Sequence, residues 1–338
     1  MKKVCILFFL LSFYPDVNSQ QGSLLLTHYS ESRNIENQNW AICQDNDRVM
    51  FFANRKGVLI FDGVEWKTLK IPTIPYSMQK NPYDGKIYIG GDNKFGYIGK
   101  DPSGIYRFVS FPDDSITTGV ITRIIFDGRN AWIYSERSVN RFDLVTKRLD
   151  LRLDSKRNYP FTGMFVTPEN TFINILNKGL HRIESDTLFP IVTGYLTENT
   201  EVLFSLPHNQ DLVLVGLGNS TLRLFDGIKF YDYNIKDEDY LHDNILSEGI
   251  MLGDTAYAFS TLEGGAVVIE KSGRKLLYAI NNKSQLPDDE IFAIGSDNSG
   301  GLWLSHQYGL TRADLNLPVS NYSIFPGLTG NLTSALRY

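Results

Sequence analysis

Short runs of apolar and aromatic residues alternate along this chain with polar turns, and no long stretch carries the 3.6-residue spacing of an amphipathic helix. One apolar triplet recurs: "MFF" at 50–52, "IYI" at 87–89, "AWI" at 131–133, "TFI" at 171–173, "LVL" at 212–214, "AYA" at 256–258 and "LWL" at 302–304. The central residues of these triplets lie 37 to 46 positions apart, so one unit is written seven times. A repeat of that length built from strands rather than helix pairs points to a closed array of small sheets.

Each copy divides into four short strands. In the last, "EIFAIGSD" is a first strand, "NSGG" a tight turn, "LWLSH" a second strand, "QYG" a loop, "LTRADL" a third strand, and "VSNYSIF" a fourth or its equivalent. "LIFDGVEWKTL" and "LRLFDGIKFYDY" align almost residue for residue as third strand, Asp-Gly turn and fourth strand. Asp-Gly occupies turns because the hairpin needs positive φ, so the acids of the "FDG" triplets at 61–63, 126–128 and 225–227 read as turn formers rather than metal ligands. A four-stranded sheet of this size cannot bury both faces alone; seven of them stacked face to face around an axis can. The pattern therefore predicts an all-β fold, a seven-bladed β-propeller of four-stranded antiparallel blades.

Closure and boundaries are less determined. "LLLTHYSES" at 24–32 reads as an outer strand with no inner strands before it, which would tie the first blade to the last; "PVSNYSIFPG" at 318–327 competes for the same place. A blade-entry signal recurs as "LHDN" at 241–244, "LPDD" at 286–289 and "LTGN" at 328–331. The propeller is accordingly assigned to 20–318, and 319–338 to the start of a further repeat that breaks off at Tyr338.

Composition narrows the setting. A hydrophobic share of 42% is enough to build a core, and a net charge of −5 without long basic runs gives no broad attraction to nucleic acid. Lys2 and Lys3 precede the apolar "VCILFFLLSF", and Val17 and Ser19 precede Gln20. Residues 1–19 thus read as a signal peptide cleaved near Ser19–Gln20, which predicts export to a periplasm or cell surface. No second apolar run is long enough to span a membrane, and after cleavage Cys43 is the one cysteine left, read as packing.

Catalytic chemistry is hard to find. His28, His181, His208, His242 and His306 stand far apart, with no metal-ligand spacing, and there is no Gly-x-Ser-x-Gly elbow or Walker loop. No metal, cofactor or catalytic residue is assigned. "LVGLGNST", with Gly216 and Gly218, opens no helix and reads as a loop between strands. "SDNSGGLW" at 296–303 approaches a sialidase Asp-box, but with Asn298 at the Asp position and Leu302 at the Thr position. The pairs Asp113-Asp114 and Asp288-Asp289 are adjacent, so their side chains diverge and make a poor acid/base couple. Trp132 and Trp303 sit at strand centres and read as core, Trp66 as outer-strand packing.

Binding has a natural place. In a propeller the loops joining second to third strands share one face with those entering each inner strand. That ring of loops supplies Asn54, Arg55, Asp92, Lys94, Arg137, Asn177, Asn219, Glu263, His306 and Tyr308 as candidate ligand-binding residues, with Trp40 near the same rim. Hydrogen-bonding groups mixed with aromatic platforms suit sugars.

"IFAIGSDNSGGLWLSHQYGLTRAD" at 291–314 resembles the repeat of the two-component regulator propeller family. "NWAICQDNDRVMFFANRKGVLIFDG" and "IYIGGDNKFGYIGKDPSGIYRF" are similar to the family's opening blades. The sequence departs from the usual Gly-Thr after the second strand, which here becomes Ala53-Asn54, Ser135-Glu136 and Ser305-His306. The resemblance implies the periplasmic sensor part of a Bacteroidetes regulator. In that family a second propeller, a small β-sandwich, a membrane span and a kinase or DNA-binding output follow, and the ligands are commonly oligosaccharides; a homodimer through downstream regions is a further partner considered. A small-molecule or oligosaccharide ligand is therefore the expected partner. The other functions considered are a secreted propeller glycosidase or lyase and a protein-interaction scaffold.

Overall fold

The computed structural model describes residues 24–29, 36–111, 119–191, 196–236, 238–272 and 274–317. Residues 26–316 make one compact unit; the chain ends, 1–25 and 317–338, are grouped apart. The segment expected to be a signal peptide, 1–19, and the one expected to start a further repeat, 319–338, lie outside the described residues.

The unit contains seven four-stranded antiparallel sheets. Strand β1 (Leu25–Tyr29) comes first in the chain. Blade 1 holds β2 (Asn39–Gln44), β3 (Met50–Asn54), β4 (Gly57–Phe61) and β5 (Trp66–Leu69). Blade 2 holds β6 (Ser77–Lys80), β7 (Ile87–Gly90), β8 (Phe95–Lys100) and β9 (Tyr106–Ser110). Blade 3 follows with β10 (Arg123–Asp127), β11 (Asn130–Tyr134), β12 (Ser138–Asp143) and β13 (Arg148–Asp154). Blade 4 has β14 (Phe161–Val166), β15 (Thr171–Ile175), β16 (Gly179–Glu184) and β17 (Thr187–Pro190). Blade 5 has β18 (Val202–Pro207), β19 (Val213–Leu217), β20 (Leu222–Phe225) and β21 (Phe230–Asp232). Blade 6 has β22 (Leu246–Leu252), β23 (Ala256–Thr261), β24 (Ala266–Glu270) and β25 (Leu276–Ile280). Blade 7 has β26 (Ala293–Ser296), β27 (Gly301–His306) and β28 (Gly309–Asp314). Its fourth strand is β1, so "LLTHY", Leu25–Tyr29, closes the ring and takes the place that "VSNYSIF" was expected to contest. Each inner strand lies against the inner strands of both neighbouring blades, β26 against β2 included, and the circle is complete.

Burial explains why these residues make blades. The second strands β3, β15, β19, β23 and β27 are buried at every position. Both of their faces meet a neighbouring sheet, so they read as continuous apolar runs rather than alternating ones. Outer strands such as β13 and β17 are mostly half-buried or exposed, with Leu151 alone buried in β13. The core is a set of wedges between blades. Phe204, Tyr257 and Phe259 fill the wedge between blades 5 and 6, while Phe165, Phe172 and Phe225 fill that between blades 4 and 5. Trp132 and Trp303 are buried, and Trp66 stacks on Phe61 with ring centres 4.3 Å apart. The Asp-Gly hairpins take their expected form: Asp62 Oδ1 accepts from the Val64 and Glu65 N–H groups, Asp226 Oδ1 does the same for Ile228 and Lys229, and Gly63 and Gly227 have φ of 99° and 94°. Gly216 corrects the sequence assignment: it lies inside β19 rather than in a loop. A Cβ there would come within 2.3 Å of the Phe204 ring, so the glycine makes room for an aromatic plug.

Candidate functional site

The second-to-third strand loops and the inner-strand entries do share a face, and hydrogen bonds stitch them together. Arg55 N–H donates to the Gln38 carbonyl at 3.3 Å, Asn93 to Gly119 at 3.0 Å, Asn177 to Glu198 at 2.7 Å and Gly218 to Glu201 at 2.9 Å. Around this face Arg55, Asp92, Arg137, Asn177, Asn219, Glu263 and Tyr308 are exposed, and Lys94 is half-buried. The two remaining candidates lie inside. The Asn54 amide donates to the Glu36 and Gln38 carbonyls at 2.8 and 3.3 Å and to Asn39 Oδ1 at 2.8 Å. Asn174 does the same in blade 4, donating to the Thr197 and Thr200 carbonyls at 2.9 Å each. These asparagines tie second strands to entry loops. His306 Nε2 meets the Thr311 hydroxyl at 2.7 Å, and the same hydroxyl meets His28 Nδ1 of β1 at 2.9 Å. Burial pushes His306 down to about 4, so the imidazole is neutral at ordinary pH.

The ten candidates are spread around a ring, and none lines either of the two concavities on the axis side. The larger concavity is the axial channel, about 840 Å³, walled by inner strands. The smaller, about 400 Å³, is a cleft at the entry of blades 5 and 6 lined by Thr200, Glu201, Ile245 and Leu262. Leu203 and Ser247 belong to both, so the cleft opens into the mouth of the channel.

A recurrent irregularity aims side chains into that mouth. The pairing of first and second strands slips between Asn39 and Ile42, between Phe161 and Gly163, between Val202 and Phe204, and between Leu246 and Glu248. Each slip sits near the entry end of an inner strand and leaves unpaired residues there: Trp40 and Ala41, Thr162, Leu203, and Ser247. A bulge re-aims its extra side chain, and Trp40, Ala41, Leu203 and Ser247 all line the channel. Trp40 and Tyr76 form an aromatic pair at the mouth, ring centres 5.3 Å apart. Strain gathers at the same end: Ile245, a β-branched residue, has φ of 57° and is 41% exposed.

Three charged residues of inner strands line the channel, Arg123 and Asp127 of β10 and Glu248 of β22; Asp127, at the far end of its strand, is exposed, and Arg123 and Glu248 sit deeper. Both are densely surrounded by protein yet keep part of their surface on the channel. Burial lowers the Arg123 guanidinium from its ordinary value and pushes the Glu248 carboxyl up to about 7, the Ile294 N–H and Arg123 pulling the latter back. The sequence carried one signal for them, a charge set within an apolar inner strand: Arg123 before "IIF" in "TRIIFD" and Glu248 in "LSEGIML".

No family model matches the sequence, and no curated protein matches it. Solved structures do match in shape. Extracellular domains of two putative hybrid two-component systems of B. thetaiotaomicron align over 86% of the chain with TM-score 0.64 each, at 14% and 16% identity. The chain spans 42% and 39% of those two domains. A streptogramin B lyase aligns over 87% of the chain and 98% of its own length, at TM-score 0.67 and 12% identity. The first two carry the architecture expected from the repeat, and all three are similar to this chain in fold.

Proposed function

We propose that this chain is the ligand-binding propeller of an envelope sensor of the two-component regulator propeller kind, exported to the periplasm and non-catalytic by itself. Its ligand is an oligosaccharide held against the entry face. The observation that carries the proposal is the shape match, over most of this chain, to extracellular domains described as parts of hybrid two-component systems. The repeat resemblance supports it independently, and so does a face that presents exposed Arg55, Asp92, Arg137, Asn177 and Tyr308 around a bulge-lined mouth. Signal output, and any dimerisation, would come from segments beyond this one.

A thermal-shift screen against plant, host and fungal oligosaccharides tests the proposal. A ligand at 100 times its dissociation constant adds about 2.7 kcal/mol to stability. A reproducible shift, with the ligand recovered unchanged, is the expected result. Recovery of a cleaved or eliminated ligand would transfer the chain to the lyase reading that the streptogramin B lyase fold leaves open. Silence across the whole panel would defeat both.

A further inference from the structure

Arg123 and Glu248, the two deeper charges of the axial channel, are not spent on each other. Arg123 is rooted in blade 3 and reaches across to blades 4 and 5, where it donates through Nη1 to the Met164 and Val202 carbonyls at 3.3 and 3.5 Å and through Nη2 to the Leu203 carbonyl. Its Nε–H has no hydrogen bond among the described residues. Glu248 is rooted in blade 6 and reaches to blade 7, where Oε2 accepts from the Ile294 N–H at 3.2 Å. Its Oε1 has no hydrogen bond among the described residues either, and no ion pair joins the two groups. Opposite charges in an apolar tunnel gain most by closing to contact. Here each is instead pinned by backbone carbonyls or an N–H, with Nε–H and one Nη2–H left over on the guanidinium and one oxygen left over on the carboxylate. That is the arrangement of a pre-organised site, paid for in stability and complementary to something that comes between.

The complement is legible. A guanidinium with a spare N–H wants an anionic acceptor, and a carboxylate with a spare oxygen wants a cationic donor. Beyond the pair the wall is mixed: half-buried Ile125, Val166 and Met251 offer an apolar strip, with Asp127 and Thr167 among the polar residues beside it. A volume of about 840 Å³ lies within the range of small-molecule sites and exceeds what one amino-acid-sized ligand fills. We propose that the axial channel binds a small zwitterion, an amino carboxylate, with its carboxylate at Arg123, its ammonium at Glu248 and its side chain against the apolar strip. Such a ligand would bridge blades 3 to 5 with blades 6 and 7 through side chains that already grip those blades' backbones. This is a second site, separate from the entry-face loops that the proposed sensor function uses.

Calorimetric titration of the full chain separates the possibilities. The probes are glycine, L-leucine, leucinamide, which lacks the carboxylate, and isocaproate, which lacks the ammonium. Leucine is expected to bind, and each half-charged relative to bind at least about tenfold more weakly, the weight of one charge contact. Glu248→Gln, with its cooperative melt intact, should lose leucine affinity by a similar factor and leave isocaproate binding unchanged. No heat from glycine or leucine at millimolar concentration would overturn the assignment. So would leucine binding that is indifferent to Glu248→Gln, or isocaproate binding as tightly as leucine. None of these outcomes bears on the oligosaccharide screen, so the two proposals fail separately.

Discussion

The seam in blade 7 and the mouth of blades 5 and 6 are built from the same repeat and treat their polar groups in opposite ways. At the seam every charge is used. Asp297 accepts from Arg312 Nε at 2.7 Å, from Trp303 Nε1 at 2.9 Å and from the Ser299 and Gly301 N–H groups at 2.9 Å each. Tyr29 of β1 stacks on Trp303 with ring centres 5.3 Å apart, and Thr311 joins two histidines. At the mouth, Ile245 holds a φ that suits glycine, Ile245 and Leu262 are each 41% exposed, and Glu248 keeps an oxygen without a hydrogen bond. The seam is where the ring would fail if it were weak, and its residues agree with one another. The mouth tolerates conflict, which is the mark of residues retained for something other than stability.

Breaking the seam should cost most. Removing residues 24–29 takes away a strand and the Tyr29 ring together, and the loss is expected on the order of 5 kcal/mol by denaturant melting, since a large aromatic truncation alone removes about 3–5. An unchanged melt would mean that the ring closes another way. Asp297→Ala strands the Trp303 indole N–H and leaves Arg312 with Asp314 as its one carboxylate partner, in a site where the Arg312 and Asp297 side chains are 18% and 6% exposed. A loss of about 3–4 kcal/mol should follow; a loss below about 1 would remove Asp297 from the account of the seam.

Acid should weaken the seam before the mouth. His306 titrates at about 4 in the fold against an ordinary 6.5, so the unfolded chain takes up the proton first. Its contribution is intact above pH 6.5 and is lost as pH falls towards 4, roughly 2 kcal/mol by pH 5 at 1.36 kcal/mol per unit. Thr311→Val, which removes the shared hydroxyl, should flatten or shift that acid limb relative to the parent.

The mouth predicts the reverse sign. Glu248 titrates at about 7 against an ordinary 4.5, so the fold holds a proton that the unfolded chain releases, and the carboxyl costs stability as pH rises from 4.5 to 7. Glu248→Gln should therefore stabilise the protein by about 3 kcal/mol at pH 8 and by little at pH 4.5. Destabilisation at pH 8 would contradict the assignment of Glu248 as a costly group. The smallest effect is Ile245→Gly, which relieves a strained backbone and should raise stability by about 1 kcal/mol while thinning the cleft wall.

The architecture was legible because it is periodic. Triplets centred on Phe51, Tyr88, Trp132, Phe172, Val213, Tyr257 and Trp303 mark second strands, and Asp62-Gly63 and Asp226-Gly227 mark hairpins by their own backbone chemistry. The site was less legible because it lies where the period is broken. A bulge inserts one residue into an apolar run without changing its composition, so nothing in "NWAIC" says that Trp40 leaves the pairing. Arg123 and Glu248 are 125 positions apart and come together only through the ring. Counting loop residues found the face of the disc but passed over its centre, and it gave Asn54 and His306 a rim position when both are internal fasteners.

The strand that closes the ring has a consequence in time. β1 is synthesised first and pairs last, with β28, and His28 finds Thr311 across 283 positions of chain. Contacts of such sequence separation are slow to form, because the loop between them must be closed before they repay its entropy. Until blade 7 is in place, an incomplete ring shows two bare apolar sheet faces, the kind of surface that recruits other chains. Closure is therefore the step at which this molecule is most exposed to its neighbours, and a chaperone would matter most to it there.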